Sequence, residues 1–220
     1  MASIFKDNWT KRDGTVVPET GDLQLGNDAV ELQATVLYAD MKGSTKLVDG
    51  QKAHLAAEVY KAYLHCAAKV IRSEGGEITA YDGDRIMAVF IGSSKNTSAV
   101  RSALKINYCV KNILNPAFKA QYPSSSYELR QTVGVDTSKL FVARTGIRGA
   151  NDLVWVGRAA NYAAKLTELD EDSPTWITGA VYDGMHESAK VTDGKAMWTK
   201  MSWTTMNKMD IYRSTWWWGV

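Results

Sequence analysis

A long amphipathic segment between two strand-like segments constrains the fold more than any other feature. Over residues 51–74, apolar residues recur at three- and four-residue spacing with charged residues between them, which predicts a helix with one apolar face. An apolar run at 32–39 precedes it. The segments 77–81 and 85–92, joined by Asp82-Gly83-Asp84, predict a β-hairpin after it. Because a one-faced helix must cover an apolar layer, we expect it to lie on a sheet that contains these strands.

The rest of the chain continues this alternation. A second helix is predicted over residues 97–114, and Pro116 is expected to end it. The other predicted elements, in chain order, are strands near 127–136, 139–147 and 153–156, a helix from Arg158 to about Leu169, a strand at 175–178, a short helix near 179–186 and strands at 195–200 and 208–214. This order predicts an α+β fold of the ferredoxin-like type, in which helices pack against a mostly antiparallel sheet.

Turn-forming residues set the two ends of the chain apart from its centre. Residues 1–30 contain several glycines and a proline among scattered charges, which predicts an arm of turns rather than a helix. Residues 31–220 are expected to form one domain with an aromatic-rich C-terminal extension, which contains Trp198, Trp203, Trp216, Trp217 and Trp218. We favour packing of these tryptophans on the domain over their docking on a partner or a membrane interface.

Composition excludes several classes of function. The formal net charge is +2 without a long basic or acidic block, so nothing indicates a nucleic-acid partner. The N-terminus carries charges where a signal peptide needs an apolar segment, and no segment approaches the ~20 apolar residues of a membrane span. We therefore expect a cytoplasmic protein without a membrane partner. Cys66 and Cys109 have no metal-ligand spacing and are interpreted as reduced core residues.

Two carboxylates occupy positions that suit metal chemistry. Asp40 ends the first predicted strand and Asp84 lies at the hairpin turn, so both can meet at one end of the sheet. Two carboxylates that close repel each other unless a cation lies between them, and oxygen ligands suit Mg²⁺ or Mn²⁺. After Asp40, the loop over Gly43, Ser44 and Thr45 can offer backbone N–H groups to phosphate oxygens.

Each motif also has a purely structural interpretation. Asp40 can cap a helix, Asp82 and Asp84 can form a turn, and Gly43 can permit a bend. Taken singly, each motif favours that structural reading. Their order on neighbouring strands favours a functional one.

Four separated blocks resemble the catalytic domain of the class III nucleotidyl cyclases. They are "TVLYADMKGSTKL", "GGEITAYDGDRIMAVF", "QTVGVDTSKL" and "VGRAANYAAKL", within about residues 32–170. The resemblance implies two Mg²⁺ or Mn²⁺ ions per site, bound by Asp40, Asp84 and the Met41 carbonyl. It also implies a phosphate loop, which extends from Lys42 through Gly43 and Ser44 to Thr45.

The last block supplies further residues by the same resemblance. Asn161 is expected to orient the ribose, and Lys165, where arginine is usual in the family, to neutralise charge developing on phosphorus. Four residues separate them, so they share one helix face; a solvated helix start is the structural alternative. The family builds its sites across a head-to-tail homodimer, which implies two equivalent sites here and an inactive monomer.

The base-reading positions depart from the family pattern. A lysine and an aspartate read adenine in the family's adenylate cyclases, but Ala80 and Val154 occupy these positions here. The enzyme must then either accept any base or hold the base through other groups. The candidates for such contacts are Tyr81, Trp155, Asp152 and Arg158. For Arg158, phosphate binding or a plain surface charge remains an alternative.

These departures make the chain similar to bacterial class III cyclases that make pyrimidine cyclic nucleotides as anti-phage signals. The resemblance implies conversion of UTP to 3′,5′-cyclic UMP and pyrophosphate, and a separate effector protein that responds to the product. Three alternatives stay open: a cytidylate cyclase that makes cyclic CMP, an adenylate cyclase with an atypical base pocket, and a catalytically silent nucleotide-sensing module.

Overall fold

A nine-stranded sheet forms the centre of the molecule in the computed structural model, which describes residues 2–50, 52–169 and 172–220. Its main path runs in the order β10-β11-β7-β5-β2-β4-β3, with β1 paired to β2 and β6 paired to β5. Only the β1–β2 and β5–β7 pairs among the described strands are parallel. The strands are β1 (Thr10–Asp13), β2 (Asp28–Lys42), β3 (Glu77–Asp82), β4 (Arg85–Phe90), β5 (Arg130–Ile147), β6 (Ala150–Val156), β7 (Thr175–Thr178), β8 (Val191–Thr192), β9 (Lys195–Ala196), β10 (Thr199–Trp203) and β11 (Met209–Ser214).

The helices pack on this sheet, and the mostly antiparallel α+β architecture is confirmed. They are α1 (Ala2–Lys6), α2 (Ser44–Gly50), α3 (Ala53–Ser73), α4 (Lys95–Tyr108), α5 (Asn115–Gln121), α6 (Arg158–Leu166) and α7 (Gly179–Gly184), with a π-helical segment, Cys109–Leu114, between α4 and α5. The long amphipathic helix is α3, and Gln51, its predicted first residue, lies outside the described residues.

Alternation along β2 divides the core between the two faces of the sheet. Leu37, Ala39 and Met41 belong to the larger cluster, under α3 and α4. Val30 and Val36 are among the β2 residues that belong to the second cluster, on the face that α6 covers. Since successive side chains of a strand point to opposite faces, Asp40 and Lys42 lie on the α6 face.

α6 packs directly against β5 because Gly134 leaves room for it. A Cβ atom at position 134 would lie 2.1 Å from the Ala163 carbonyl oxygen. Three of the four buried residues of α6 are alanines, Ala159, Ala160 and Ala163, and the fourth is Leu166. This close approach fixes the height of α6 above the sheet.

The prediction that Pro116 ends the second helix is wrong. Helical structure continues from α4 through the π-helical segment into α5, where Pro116 occupies the first turn. The π-helical segment before Pro116 bonds at wider spacing, with the Asn115 N–H donating to the Val110 carbonyl, so the backbone stays helical into the first turn of α5 although proline donates no hydrogen bond.

Two other boundaries also differ from the predicted ones. The strands predicted at 127–136 and 139–147 form the single strand β5, which pairs with β2 along almost its whole length. The N-terminal arm was predicted to contain turns rather than helix, but Ala2–Lys6 is helical and Thr10–Asp13 pairs with β2. Tertiary pairing, which local composition does not encode, explains both strand differences.

The C-terminal tryptophans pack on the domain, as predicted. Trp216 and Trp218 contact the larger core cluster, and the Trp218 amide donates to the Leu104 carbonyl of α4. Trp217 is the more exposed neighbour and lies against the Lys111 ammonium, 3.9 Å from its ring centroid. Within the described ranges, no helix has the length and apolar character needed to cross a membrane.

Candidate active site

Asp40 and Asp84 lie at one end of the sheet, on adjoining elements. Asp40 is paired across β2 with Arg85 of β4, and Asp84 directly precedes Arg85 in the tight turn that joins β3 to β4. An Arg85 Nη2 donates to Asp40 Oδ2 at 3.4 Å. The Oδ2 atom of Asp84 is buried and has no hydrogen-bond partner. The turn therefore places one carboxylate with an unused oxygen beside a second that is only weakly paired.

The two carboxylates interact electrostatically. Burial raises the pKa of Asp40, Arg85 lowers it in part, and the Asp84 charge raises it further. Like-charge repulsion at short range is the ordinary cause of such a contribution. A cation at this end of the sheet would relieve both the repulsion and the loss of hydration.

The donor set fits a hard divalent cation that shares its coordination with a substrate. The orphan oxygen of Asp84 and the nearby Asp40 carboxylate are ligands of the kind that Mg²⁺ and Mn²⁺ prefer. In residues 2–50, 52–169 and 172–220, no group of three or more His, Cys, Asp or Glu side chains could hold a metal ion. An ion bound here would need further oxygens, for which the Met41 carbonyl and substrate phosphates are the candidates.

The predicted phosphate loop has a suitable backbone. Gly43 has a φ of 69°, a left-handed conformation that favours glycine, and its carbonyl accepts from the Leu47 N–H. The amides of Ser44 and Thr45 therefore precede the first intrahelical bond of α2 and have no helical acceptor. A pocket of about 230 Å³ adjoins this loop. The Lys42 ammonium, however, donates to the Thr167 carbonyl just after α6.

Arg158 anchors the start of α6. Its Nε and Nη2 atoms donate to the two carboxylate oxygens of Asp136 at 3.0 and 3.2 Å, and Nη2 also donates to the Thr137 carbonyl at 2.7 Å. The Asp136 side chain is fully buried and accepts a third bond from Thr178 Oγ1 at 2.5 Å. Two of the three guanidinium nitrogens are thus already used, and the predicted base contact has only Nη1 free of these bonds.

Asn161 and Lys165 lie on the exposed side of α6. Neither side chain forms a hydrogen bond or an ion pair with another residue in the part of the chain that the structure describes. They share a helix face and point away from the alanines that contact the sheet. A second molecule could therefore meet both side chains.

The structure separates the predicted base-reading positions into two groups. Ala80 and Trp155 pack against the core cluster on the α6 face. Tyr81 and Val154 are 57% and 40% exposed instead. The Asp152 carboxylate accepts from the Leu153 amide next to it, at 2.7 Å. Ala80 and Trp155 thus pack on the same core cluster, whereas Tyr81 and Val154 are exposed.

The sequence did not predict several residues that lie near these positions. The arm segment 16–21 lines a cleft of about 660 Å³ together with Thr79, Asp152 and Trp155, and nothing in the arm's composition predicts that contact. Asp136 did carry a signal, since it is the one carboxylate among residues 130–147, which form a predicted strand region. Tyr63, buried near Asp40 and Asp84, looks in the sequence like any other apolar position of α3.

Comparison with known proteins finds relatives along the full chain. It is 53% identical over 218 residues to a uridylate cyclase of Xanthomonas perforans, covering 99% of this chain and 94% of the relative. It is 51% identical over 222 residues to a uridylate cyclase of Burkholderia cepacia, covering 100% and 96%. No protein-family model matches the chain.

The fold resembles solved cyclase structures. The adenylyl cyclase CyaB from P. aeruginosa superposes with a TM-score of 0.71 at 20% sequence identity, covering 84% of this chain and 95% of that one. At this identity the likeness establishes a class III cyclase fold and nothing finer.

Proposed function

The chain belongs to the uridylate cyclase family of class III nucleotidyl cyclases, and from that premise we propose that it converts UTP to 3′,5′-cyclic UMP and pyrophosphate. The observation that supports this proposal most directly is the meeting of Asp40 and Asp84 at one sheet end, with an unused carboxylate oxygen. A binding module without catalysis has no need for two repelling carboxylates there.

The reaction is an internal displacement at phosphorus. The ribose 3′-hydroxyl releases its proton to solvent as its oxygen forms a bond to the α-phosphorus, and the bond from that phosphorus to the pyrophosphate oxygen breaks, so that pyrophosphate leaves with the bonding electrons. Divalent ions, when bound, make the 3′-hydroxyl more acidic and neutralise the triphosphate. We assign Asp40, Asp84 and the Met41 carbonyl as their protein ligands, with Arg85 holding the Asp40 carboxylate in place.

The loop after β2 receives the phosphates in this proposal. The amides of Ser44 and Thr45 point out of the helix start and suit phosphate oxygens, and Gly43 gives them a close approach. Lys42 contributes charge while its ammonium remains tied to the end of α6. This hydrogen bond connects the phosphate loop to the end of α6, the helix that carries Asn161 and Lys165.

The site is composite, formed between two copies of the chain. The side chains of Asn161 and Lys165 are exposed on α6 and form no hydrogen bond or ion pair in the described parts of their own chain, which suits residues that serve a second copy. In a head-to-tail dimer, Asn161 orients the ribose and Lys165 stabilises the charge on the α-phosphoryl oxygens of the site opposite. Lysine keeps the charge of the usual arginine but cannot make a bidentate contact.

The pyrimidine preference rests on the surface around Ala80. Ala80 offers no polar contact to a purine, and Trp155 adds bulk on the same face. Such a surface suits the smaller base, with selectivity for uracil left to donors placed at its carbonyl oxygens. We propose further that the product is a second messenger in anti-phage defence, made in the cytoplasm and sensed by a separate effector protein.

The decisive experiment is product analysis with each nucleotide. We expect purified protein with Mn²⁺ to cyclise UTP faster than CTP, ATP or GTP, with cyclic products identified by mass spectrometry. Asp84→Ala removes a proposed ligand and should abolish turnover, whereas Asp82→Ala changes an exposed neighbour in the same turn and should retain it. Cyclic CMP or cyclic AMP as the main product would overturn the uridylate assignment. No cyclic product from any nucleotide, with binding retained, would favour a silent sensor.

A further inference from the structure

Three buried polar atoms without partners lie behind the proposed metal site. The Tyr63 side chain is fully buried, and its hydroxyl has no hydrogen-bond partner. The Tyr127 hydroxyl and Asp84 Oδ2 are buried and unpaired in the same way. Buried polar groups in native proteins are normally hydrogen-bonded, so these three atoms call for an explanation, as does the buried and unpaired amide of Gln131, which pairs with Met41 across β5 and β2.

Packing brings these groups to the same end of the sheet. Tyr63 belongs to the core cluster that includes Met41, which follows Asp40 directly, and Ile86, which is two residues after Asp84. Tyr127 packs against that cluster and also lines the pocket beside Gly43. Burial raises the pKa of Tyr63 well above its usual range, and the charges of Asp40 and Asp84 raise it further.

The Asp84 charge also raises the pKa of Tyr127. Burial raises its pKa to about 12, with further contributions from Tyr60 and Asp84. Each hydroxyl can donate one hydrogen bond, and the carboxylate oxygen can accept more than one. A single buried water has enough hydrogen-bonding capacity to satisfy two donors and one acceptor together.

We propose that Tyr63 and Tyr127 are positioning residues, whose hydroxyls hold the inner oxygen of Asp84 through a shared buried water and so turn its other oxygen toward the metal ion. Groups that support a metal ligand in this way fix its orientation and raise its affinity for the ion. The inference rests on the proposed function, since it requires Asp84 to be a metal ligand. In this proposal both tyrosines act through Asp84 and neither is itself a metal ligand.

A purely structural role leads to a different expectation. If the hydroxyls are merely trapped in the core, replacing tyrosine by phenylalanine removes an unsatisfied polar group and should leave metal binding unchanged. Metal affinity therefore separates the two explanations, whereas thermal stability alone does not.

The test is titration of the metal alone, in the absence of nucleotide. Binding of Mn²⁺ to the purified full chain is followed by electron paramagnetic resonance of the free ion, for wild type, Tyr63→Phe, Tyr127→Phe and Asp84→Asn. We expect each tyrosine variant to raise the Mn²⁺ Kd about tenfold or more, the range found for groups that orient metal ligands. Tyr182→Phe is the matched control, because that ring stacks on Tyr212 elsewhere and should keep the wild-type Kd.

The outcomes distinguish failure of this inference from failure of the proposed function. If wild type binds Mn²⁺ in a manner that Asp84→Asn abolishes, the proposed metal site stands. Unchanged affinity in both tyrosine variants would then overturn the positioning role alone. Wild type without binding that depends on Asp84 would overturn the metal site itself. Should Tyr63→Phe fail to fold, the more exposed Tyr127→Phe decides the question.

Discussion

Replacing Arg158 by alanine tests whether this residue anchors α6 or reads the base. The substitution removes two donors from the fully buried Asp136 carboxylate and leaves it with the Thr178 hydroxyl alone. Leaving a buried charge without its partner lowers the free energy of unfolding by roughly 3–5 kcal/mol. Because the Arg158 side chain is 42% exposed, water can reach the vacated space, so we expect the lower end, about 3 kcal/mol.

This loss is readily measured. For a chain of this size, each kcal/mol lowers Tm by about 2–4 °C, so Arg158→Ala should lower it by about 6–12 °C. Urea unfolding provides the free energy independently. Arg148→Ala is the matched control, since Arg148 is an exposed arginine of the β5–β6 turn with no bond to a described residue, and its loss should leave Tm within about 2 °C.

A second substitution identifies the cause. Adding Asp136→Asn to Arg158→Ala removes the stranded charge, so the double variant should recover at least half of the lost stability. Unchanged stability in Arg158→Ala together with a selective rise in KM for UTP would refute the anchoring argument. The free Nη1 atom would then be the base contact that the sequence predicted.

Three further predictions concern α6 and the composite site. Gly134→Ala forces a Cβ against the Ala163 carbonyl and should destabilise the chain by about 1–3 kcal/mol, measured by urea unfolding. Lys165→Ala should lower kcat by about 10²-fold or more, and Lys165→Arg should keep or raise it, because arginine restores the bidentate contact. Inactive Asp40→Ala and Lys165→Ala chains, mixed in equal amounts, should regain about a quarter of wild-type activity, since half the dimers then hold one intact site; no recovery would contradict a site shared between copies.

The sequence predicted the elements of the fold better than their connections. Helical periodicity identified α3, because a single buried face leaves a clear pattern. The continuation of helix through Pro116 was missed, since proline has opposite effects in a helix interior and in a first turn, and composition does not distinguish the two. The contact of segment 16–21 with Trp155 was also beyond reach, because it joins residues far apart in the chain.

The candidate site, too, could be predicted from the sequence only in part. Asp40 and Asp84 could be placed together from the order of strands, because a hairpin beside a strand brings its turn to that strand's end. In the structure the Asp84 charge helps to raise the pKa of Asp40, which agrees with that placement. The ion pair of Arg158 with the buried Asp136 could not be predicted, since an arginine at a helix start is usually a solvated surface charge.

One strand, β5, physically connects the two halves of the proposed site. Near the start of β5, Thr132 pairs with Asp40, and two and four residues further along Gly134 and Asp136 hold α6 by close contact and by the Arg158 ion pair. The position and orientation of the exposed Lys165 are therefore set by β5, the strand that pairs with the Asp40 end of β2. A change that loosens α6 should misplace the lysine for the opposite site while leaving Mn²⁺ binding intact. For Gly134→Ala this requires a loss of kcat with an unchanged Mn²⁺ Kd, and a parallel loss of both would show that β5 itself has shifted.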